Sequence, residues 1–357
     1  MAVDKSILRS IFPRPEQTVF DCIEEKYLSD TLGRKKGRAE ALVFPESTEQ
    51  VSRLLAYAHE NRIPVTPRGA GTNLVGSTVP LDGGIILDLS HMNRILELDR
   101  DTMTVTVEPG ILLQELQRYV EERGLFYPPD PGDKESSIGG NISTNAGGMR
   151  AVKYGVTRDY VRGLEVVLAD GTVLQAGGKC VKDASGLSLK NLFVGSEGTL
   201  AVITKCILKL IPKPETSVSV LVPYADLEKG ITSVLAILQA GADPTAVEFI
   251  QRKVVALGEQ YSGVQYPCPE AGSFILLTFD GHASQVQESV ERVRRVALEH
   301  GAMDYIVLDD PARAADIWRV RGALVKAVEA VSEQEPVDIV VPISRTADFI
   351  RFINELE

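Results

Sequence analysis

The chain has 357 residues, 44% of them hydrophobic, more than one core usually holds, so two domains are expected. A formal net charge of -11 argues against nucleic acid or an anionic membrane as the main partner, because either repels such a surface. The four cysteines, Cys22, Cys180, Cys206 and Cys268, lack CxxC spacing, which excludes a local zinc ribbon, dithiol motif or iron–sulfur run and fits a reduced protein.

The opening stretch MAVDKSILRSIFPRPEQ has no apolar signal core, and no run reaches the length of a membrane span, so the chain reads as cytoplasmic. Residues 1–37 read as helix pieces ending in the basic run GRKKGR (33–38), which has the composition of a solvated linker. ALVFP (41–45) reads as a strand, and STEQ (47–50) as the capping box of a helix that turns Val51, Leu54, Leu55 and Ala58 to one face. IPVTP (63–67) is the next strand. Strands follow within 83–99 and 103–110, then an amphipathic helix over 111–124 that ends at Gly124.

Two glycine-rich segments interrupt this pattern. The first, PRGAGTNLVGS (67–77), fails the dinucleotide fingerprint because Leu74 stands at the third glycine position, and fails the Walker pattern because no Gly-Lys pair is present. Gly69, Gly71 and Gly76 nevertheless permit positive φ and let successive N–H groups converge on an anion, while Arg68, Thr72, Asn73 and Ser77 add donors. A tight turn without a ligand is the other reading of such a loop. The second segment, PPDPGDKESSIGGNISTNAGG (128–148), has no apolar periodicity and reads as a long functional loop. Strands at 164–169 and 172–176 flank the hairpin turn Asp170-Gly171, and NLFVGSEGTLAVITKCILKLIPKP (191–214) reads as a loop, a strand and a proline-marked exit. Beyond a boundary near 214–217, strands and helices alternate through VDIVVP (337–342), read as a strand, to a last helix from Ser344.

PRGAGTNLVGS, PDPG, SSIGGNISTNAGG, KYG (153–155), GLEVVLADGTV and GSEGTLAVIT (195–204), in that order, resemble the FAD-binding domain of the vanillyl-alcohol oxidase superfamily. Within it, residues from about 38 to 357 most resemble the flavoprotein subunit of glycolate oxidase and related D-lactate dehydrogenases. The resemblance implies an α+β fold. An N-terminal helical segment (1–37) would precede a two-subdomain FAD-binding domain (38–215) and an α+β cap domain with an antiparallel sheet (216–357), incomplete at its C-terminus.

It also implies site residues. Arg68, Gly69, Ala70, Gly71, Thr72, Asn73, Leu74, Gly76 and Ser77 would wrap the FAD pyrophosphate. Pro131, Ser137, Gly139, Gly140, Asn141, Thr144, Asn145, Ala146 and Gly147 would pass along the isoalloxazine and ribityl chain, and Glu197, Gly198 and Ile203 would lie near the adenine and dimethylbenzene side. The first loop has no histidine for a covalent tether, the histidines being His59, His91, His282 and His300, so non-covalent FAD is expected.

A 2-hydroxy acid needs a cation for its carboxylate, and an arginine fork matches that shape. Trp318 and Arg321 form a WxxR element like the one that supplies this arginine in the family; Arg319 is the rival, and an arginine stem packed beside tryptophan is the plainer reading. Relatives acting on D-2-hydroxyglutarate carry an acidic residue after the arginine and a lysine before a later aspartate; here Gly322 and Val337 stand there, the latter before Asp338, which favours glycolate or D-lactate. The family's histidine-rich metal and base segments would fall after Glu357, so the sequence reads as a shortened form, a fragment or half of a split gene, without the base and with no metal site; a natural short form is the other possibility. The expected activity is hydride transfer from C2 to FAD, with electrons passed to an iron–sulfur subunit or an electron-transfer flavoprotein. A flavin-bearing scaffold without substrate chemistry, or another flavoenzyme on the same fold, is the alternative.

Overall fold

A computed structural model describes residues 3–31, 33–333 and 337–356. The chain divides into two compact units, Met1–Gly148 with Tyr154–Lys213, and Met149–Lys153 with Pro214–Glu357.

Among the described residues the first unit holds two larger sheets and one two-stranded pair. In one of the larger sheets, β1 (Thr18–Val19), β2 (Ala41–Val43), β4 (Ile85–Asp88) and β3 (Val65–Arg68) lie in that spatial order, with β2, β4 and β3 parallel. Parallel neighbours need a crossover, and the helix α3 (Thr48–Asn61) supplies one. The Ser47 hydroxyl accepts from the N–H of Gln50 to start α3, and Val51, Leu54, Leu55 and Ala58 are buried as the heptad-like spacing requires. The N-terminal helix α1 (Lys5–Ile11) adds Leu8, Ile11 and Phe12 to the same core, and a short helix, α2 (Glu25–Leu28), follows β1.

The other sheet is antiparallel, in the order β5 (Ile95–Asp99), β6 (Thr104–Val107), β10 (Val202–Lys209), β8 (Val161–Val167), β9 (Val173–Gly177). Helices α4 (Leu113–Glu121) and α5 (Ile138–Thr144) share its core through Leu113, Leu116, Val120, Ile138 and Ile142. The pair β7 (Leu125–Phe126) and β11 (Ile211–Pro212) and the short helix α7 (Leu189–Phe193) complete the connections, while all but the last residue of the short helix α6 (Ala151–Tyr154) belongs to the second unit. On β8 the carboxylate of Glu165 is buried and takes hydrogen bonds from Thr48, Gln175, Thr204 and Lys205.

The second unit is a four-stranded antiparallel sheet ordered β13 (Ala246–Gln251), β14 (Ser273–Gly281), β12 (Thr216–Tyr224), β15 (Ile306–Leu308). Strand alternation divides its side chains. Val220, Val222, Ile275, Leu277 and Phe279 meet α10 (Ala283–Glu299) and α8 (Leu227–Gln239), while Leu221, Phe274, Leu276, Ile306 and Leu308 meet α11 (Pro311–Glu329) and α9 (Arg252–Ser262). The helix α12 (Thr346–Leu356) follows, and no helix among the described residues is long and apolar enough to cross a membrane.

Three expectations need correction. Residues 128–148 are not loop throughout, because Ile138–Thr144 forms α5: Ser137 caps it and Ile138 and Ile142, one turn apart, are both fully buried. Within 191–214 the chain begins in helix α7. VDIVVP does not form a strand, because neither sheet edge, β13 or β15, pairs with it, and Val337, Ile339 and Val340 stay exposed.

Burial works to raise Glu165, but the bonds from Thr48, Lys205 and Thr204 outweigh it and hold the carboxyl below the usual range. A depressed native value adds stability that is complete above the ordinary glutamate value and is lost as pH falls through the folded one. Glu165→Gln is therefore expected to lower the thermal midpoint at pH 7, with the gap from wild type closing as pH falls below the ordinary glutamate value of about 4.3. Melting curves across that range check this; a gap independent of pH would refute it.

Candidate functional site

The first glycine-rich loop leaves the end of β3, and its shape is set by Arg68. That side chain turns inward: Nη1 donates to the Thr78 hydroxyl at 3.3 Å, Nε stands 3.7 Å from Asp88 Oδ2, and the guanidinium lies 5.3 Å over the Tyr27 ring. Gly71 has φ +74°, a conformation that L side chains rarely adopt, and a Cβ there would meet the guanidinium at 2.0 Å, so any side chain would have to displace Arg68 from the loop. Burial pushes the Asp88 carboxyl up and the Arg68 guanidinium down, since each buried charge only partly compensates the other at that distance.

Asn73 knits the tip of the loop. Its Oδ1 accepts from the N–H groups of Val75 and Ser77, and its Nδ2 donates to Thr78. The N–H groups of Gly71, Thr72, Asn73 and Leu74 have no protein acceptor among the described residues. Such a run of open donors on a braced loop is what an anion needs.

The second segment meets the first at Ser137. Its hydroxyl accepts from Gly140 N–H inside α5 at 3.3 Å and from Ala70 N–H in the first loop at 3.2 Å. A Cβ on Gly69 would lie 2.1 Å from that oxygen, and one on Gly139 would lie 2.5 Å from Pro109. The PPDPG stretch is held from behind by Gln117, whose Nε2 donates to the carbonyls of Tyr127 and Pro129.

The third segment hangs from the far end of α5. The carbonyls of Ile142 and Ser143 accept from Gly195 and Glu197, while Asn145, left-handed at φ +50°, accepts from Arg158 N–H through its side chain. Ser77 then closes the ring by donating to Glu197 Oε2 at 3.0 Å, and a Cβ on Gly198 would meet Pro67 at 2.8 Å. The structure thus joins Arg68 to Ser77, Ser137 to Ala146, and Glu197 with Gly198 in one frame.

Other expected positions differ in detail. Thr144 spends its hydroxyl on the Gly140 carbonyl, Asn141 is buried, Pro131 is half-buried and Gly147 is exposed. Ile203 belongs to the sheet core. Residues without a motif also shape the site: Tyr27, Thr31, Gln117 and Arg158. Gln117 had a signal, being the one polar residue in the buried stripe Leu113, Leu116, Gln117, Val120 of α4.

In the second unit, Arg321 and Trp318 lie on α11 toward the sheet. Arg321 Nε donates to Glu248 Oε2 at 2.6 Å, Nη2 stands 2.6 Å from the same oxygen in an ion pair, and Nη1 has no hydrogen-bond partner among the described residues. One edge of the fork is held and the other is open. Trp318 Nε1 donates to Ser219 at 3.3 Å, and Ser219 pairs with Thr278 across the strands. Farther along the same face Asp280 takes Lys153 at 2.9 Å and the Thr245 hydroxyl at 2.7 Å. The rival Arg319 is exposed and stands 3.4 Å from Asp316.

Comparison with known proteins identifies two domains. Residues 39–177 match the FAD binding domain family, and residues 213–357 match the family of FAD linked oxidases, C-terminal domain. A D-lactate dehydrogenase of Anaerostipes hadrus is 44% identical over 95% of this chain and 73% of its own length. Glycolate oxidase subunit GlcD of Bacillus subtilis (strain 168) is 39% identical over 92% of this chain and 70% of its own. Among solved structures, an alkyldihydroxyacetonephosphate synthase superposes with a TM-score of 0.77 at 20% identity, over 90% of this chain and 63% of that one, a likeness of fold.

The first unit fits FAD: open backbone donors suit the pyrophosphate, and glycines stand where a side chain would break the frame. Gly69→Ala drives a methyl into the Ser137 hydroxyl, an overpacking that costs about 1–3 kcal/mol. The purified variant is expected to carry less flavin, read from the ratio of visible to ultraviolet absorbance. Adding Ser137→Ala, which removes the struck oxygen along with its own bonds, is expected to cost less flavin than the sum of the two single losses, a non-additivity that separates this clash from general unfolding.

Proposed function

Because the chain belongs to the FAD-linked oxidases, we propose that it oxidises a small D-2-hydroxy monocarboxylate, glycolate or D-lactate, to the 2-oxo acid with FAD held non-covalently. The observation that carries the substrate class is Arg321, with one guanidinium edge fixed by Glu248 and Nη1 open. A substrate carboxylate binds along that open edge, and Glu248 sets the plane in which it binds. Gly322 and Val337 stand where relatives acting on D-2-hydroxyglutarate carry an acidic residue and a lysine, and the lost lysine leaves no second cation there, which favours a single carboxylate.

Bound FAD would supply a two-electron acceptor for the hydride from the substrate's C2, and the hydroxyl proton would leave to water, no residue among those described being assigned as its base. The chain's own part is to hold the pyrophosphate on the N–H groups of residues 71–74, brace that loop through Arg68 and Ser137, and orient the acid through Arg321. Neither His59 on α3 nor His91 after β4 belongs to the three joined loops, which favours a non-covalent cofactor. The electrons leave to a separate acceptor, an iron–sulfur subunit or an electron-transfer flavoprotein.

Anaerobic titration of the flavoprotein is expected to bleach the flavin with D-lactate or glycolate and to leave it oxidised with D-2-hydroxyglutarate. Reduction by NADPH and by none of the acids would overturn the reading. Acid precipitation is expected to leave the yellow colour in solution; colour carried down with the protein would mean a covalent flavin. Arg321→Ala removes a charge-assisted contact worth about 1.5–3 kcal/mol, so KM for the acid should rise roughly 10- to 100-fold with flavin content unchanged. Loss of flavin in that variant would place Arg321 in a different role.

A further inference from the structure

The basic stretch before β2 does more than link. At its start Asp30, 7% exposed, accepts from Arg34 N–H at 2.8 Å and Lys35 N–H at 3.2 Å, while its own N–H donates to the Lys35 carbonyl and Gly33 takes φ +68°. This closed turn is laid along the first glycine loop. Tyr27 covers the Arg68 guanidinium, the Thr31 hydroxyl lies 3.1 Å from the Gly71 carbonyl and 3.2 Å from the Asn73 carbonyl, and the Lys35 stem runs beside Gly76.

We propose that Thr31 is a positioning residue for the cofactor's pyrophosphate, acting through the orientation of two peptide planes. In a trans peptide the C=O and the following N–H point in opposite directions. Holding the carbonyls of Gly71 and Asn73 against Thr31 therefore turns the N–H groups of Thr72 and Leu74 to the opposite side of the loop. These are two of the donors that have no acceptor within the protein among the described residues. The single hydroxyl proton is shared between two carbonyls, so one side chain sets both planes at once. A loop with glycines at 69, 71 and 76 is otherwise free to flip these peptides, and a flipped peptide would present a carbonyl oxygen to a phosphate. The anion site is thus built from two segments, the loop that donates and the turn that aims it.

The inference rests on the FAD reading, and the experiment separates their failures. Thr31→Val keeps the shape and removes the hydroxyl; Thr31→Ser keeps the hydroxyl. From the flavin-loaded proteins, FAD is expected to dissociate about five-fold faster in Thr31→Val, as the loss of one neutral hydrogen bond implies, and at the wild-type rate in Thr31→Ser. In flavin-free protein, ADP binding should weaken to the same degree while riboflavin binding stays unchanged, because only ADP carries the pyrophosphate. Hydrogen exchange gives an independent reading: ADP should slow exchange in the peptide spanning 69–78 of wild type and fail to do so in Thr31→Val, with peptides of β8 and β10 unaffected in both. Wild-type FAD release from Thr31→Val, equal loss of ADP and riboflavin, or failure of Thr31→Ser to restore binding would each overturn the role of Thr31. A wild-type protein that binds no FAD would overturn the cofactor reading itself.

Discussion

The hydroxyl of Ser137 accepts the N–H of Ala70 at 3.2 Å and that of Gly140 at 3.3 Å, and much of the first unit depends on that oxygen. One bond starts α5; the other fixes where the first glycine loop leaves β3. Since α5 also carries, on its last carbonyls, the segment with Glu197 and Gly198, three stretches far apart in sequence share one short helix as their support. The close approach at Gly69 follows from it: a backbone that must reach a side-chain oxygen cannot carry a Cβ on the same side. The glycines are thus consequences of the joint as much as of the anion.

Burial makes that frame stiff at an electrostatic cost. Arg68 and Asp88 are both taken out of water and stand 3.7 Å apart, too far for full compensation, which is why Asp88 is pushed up and Arg68 down. Replacing such a pair with apolar side chains would often cost nothing in stability. What apolar side chains would not give is a planar guanidinium inside the loop, packed on Gly71 and Tyr27 and bonded to Thr78. The same contrast holds for Glu165, where five polar side chains meet in a buried sheet and are satisfied by one another.

The order of strands and helices was legible in the sequence because it rests on periodicity, as with Val51, Leu54, Leu55 and Ala58 on α3. The glycine loops were legible because positive φ and close approach leave a mark at the residue itself. The helix α5 was not, since IGGNIST joins two glycines to three β-branched residues, a composition with low helix propensity, and its stability comes from the Ser137 cap and the burial of Ile138 and Ile142. VDIVVP has every local feature of a strand and lacks a neighbour to pair with. Thr31 bonds to backbone carbonyls forty positions away, and no residue type at the receiving end records such a contact.

Glu248 was hidden in the same way, 73 residues from Arg321, yet it alters what that arginine can do. An arginine alone at a sheet surface attracts any anion, whereas one already neutralised binds by geometry more than by charge. With Nε and Nη2 committed to one carboxylate oxygen, the direction left for a second carboxylate is that of Nη1. Under the proposed reading, an acid entering there brings the local charge from balanced to negative, and a second carboxylate on the same molecule would carry it further against Glu248 without a cation at Val337 to offset it. On that reading, a preference for a monocarboxylate would follow from a residue that holds the arginine as much as from the lysine missing at Val337.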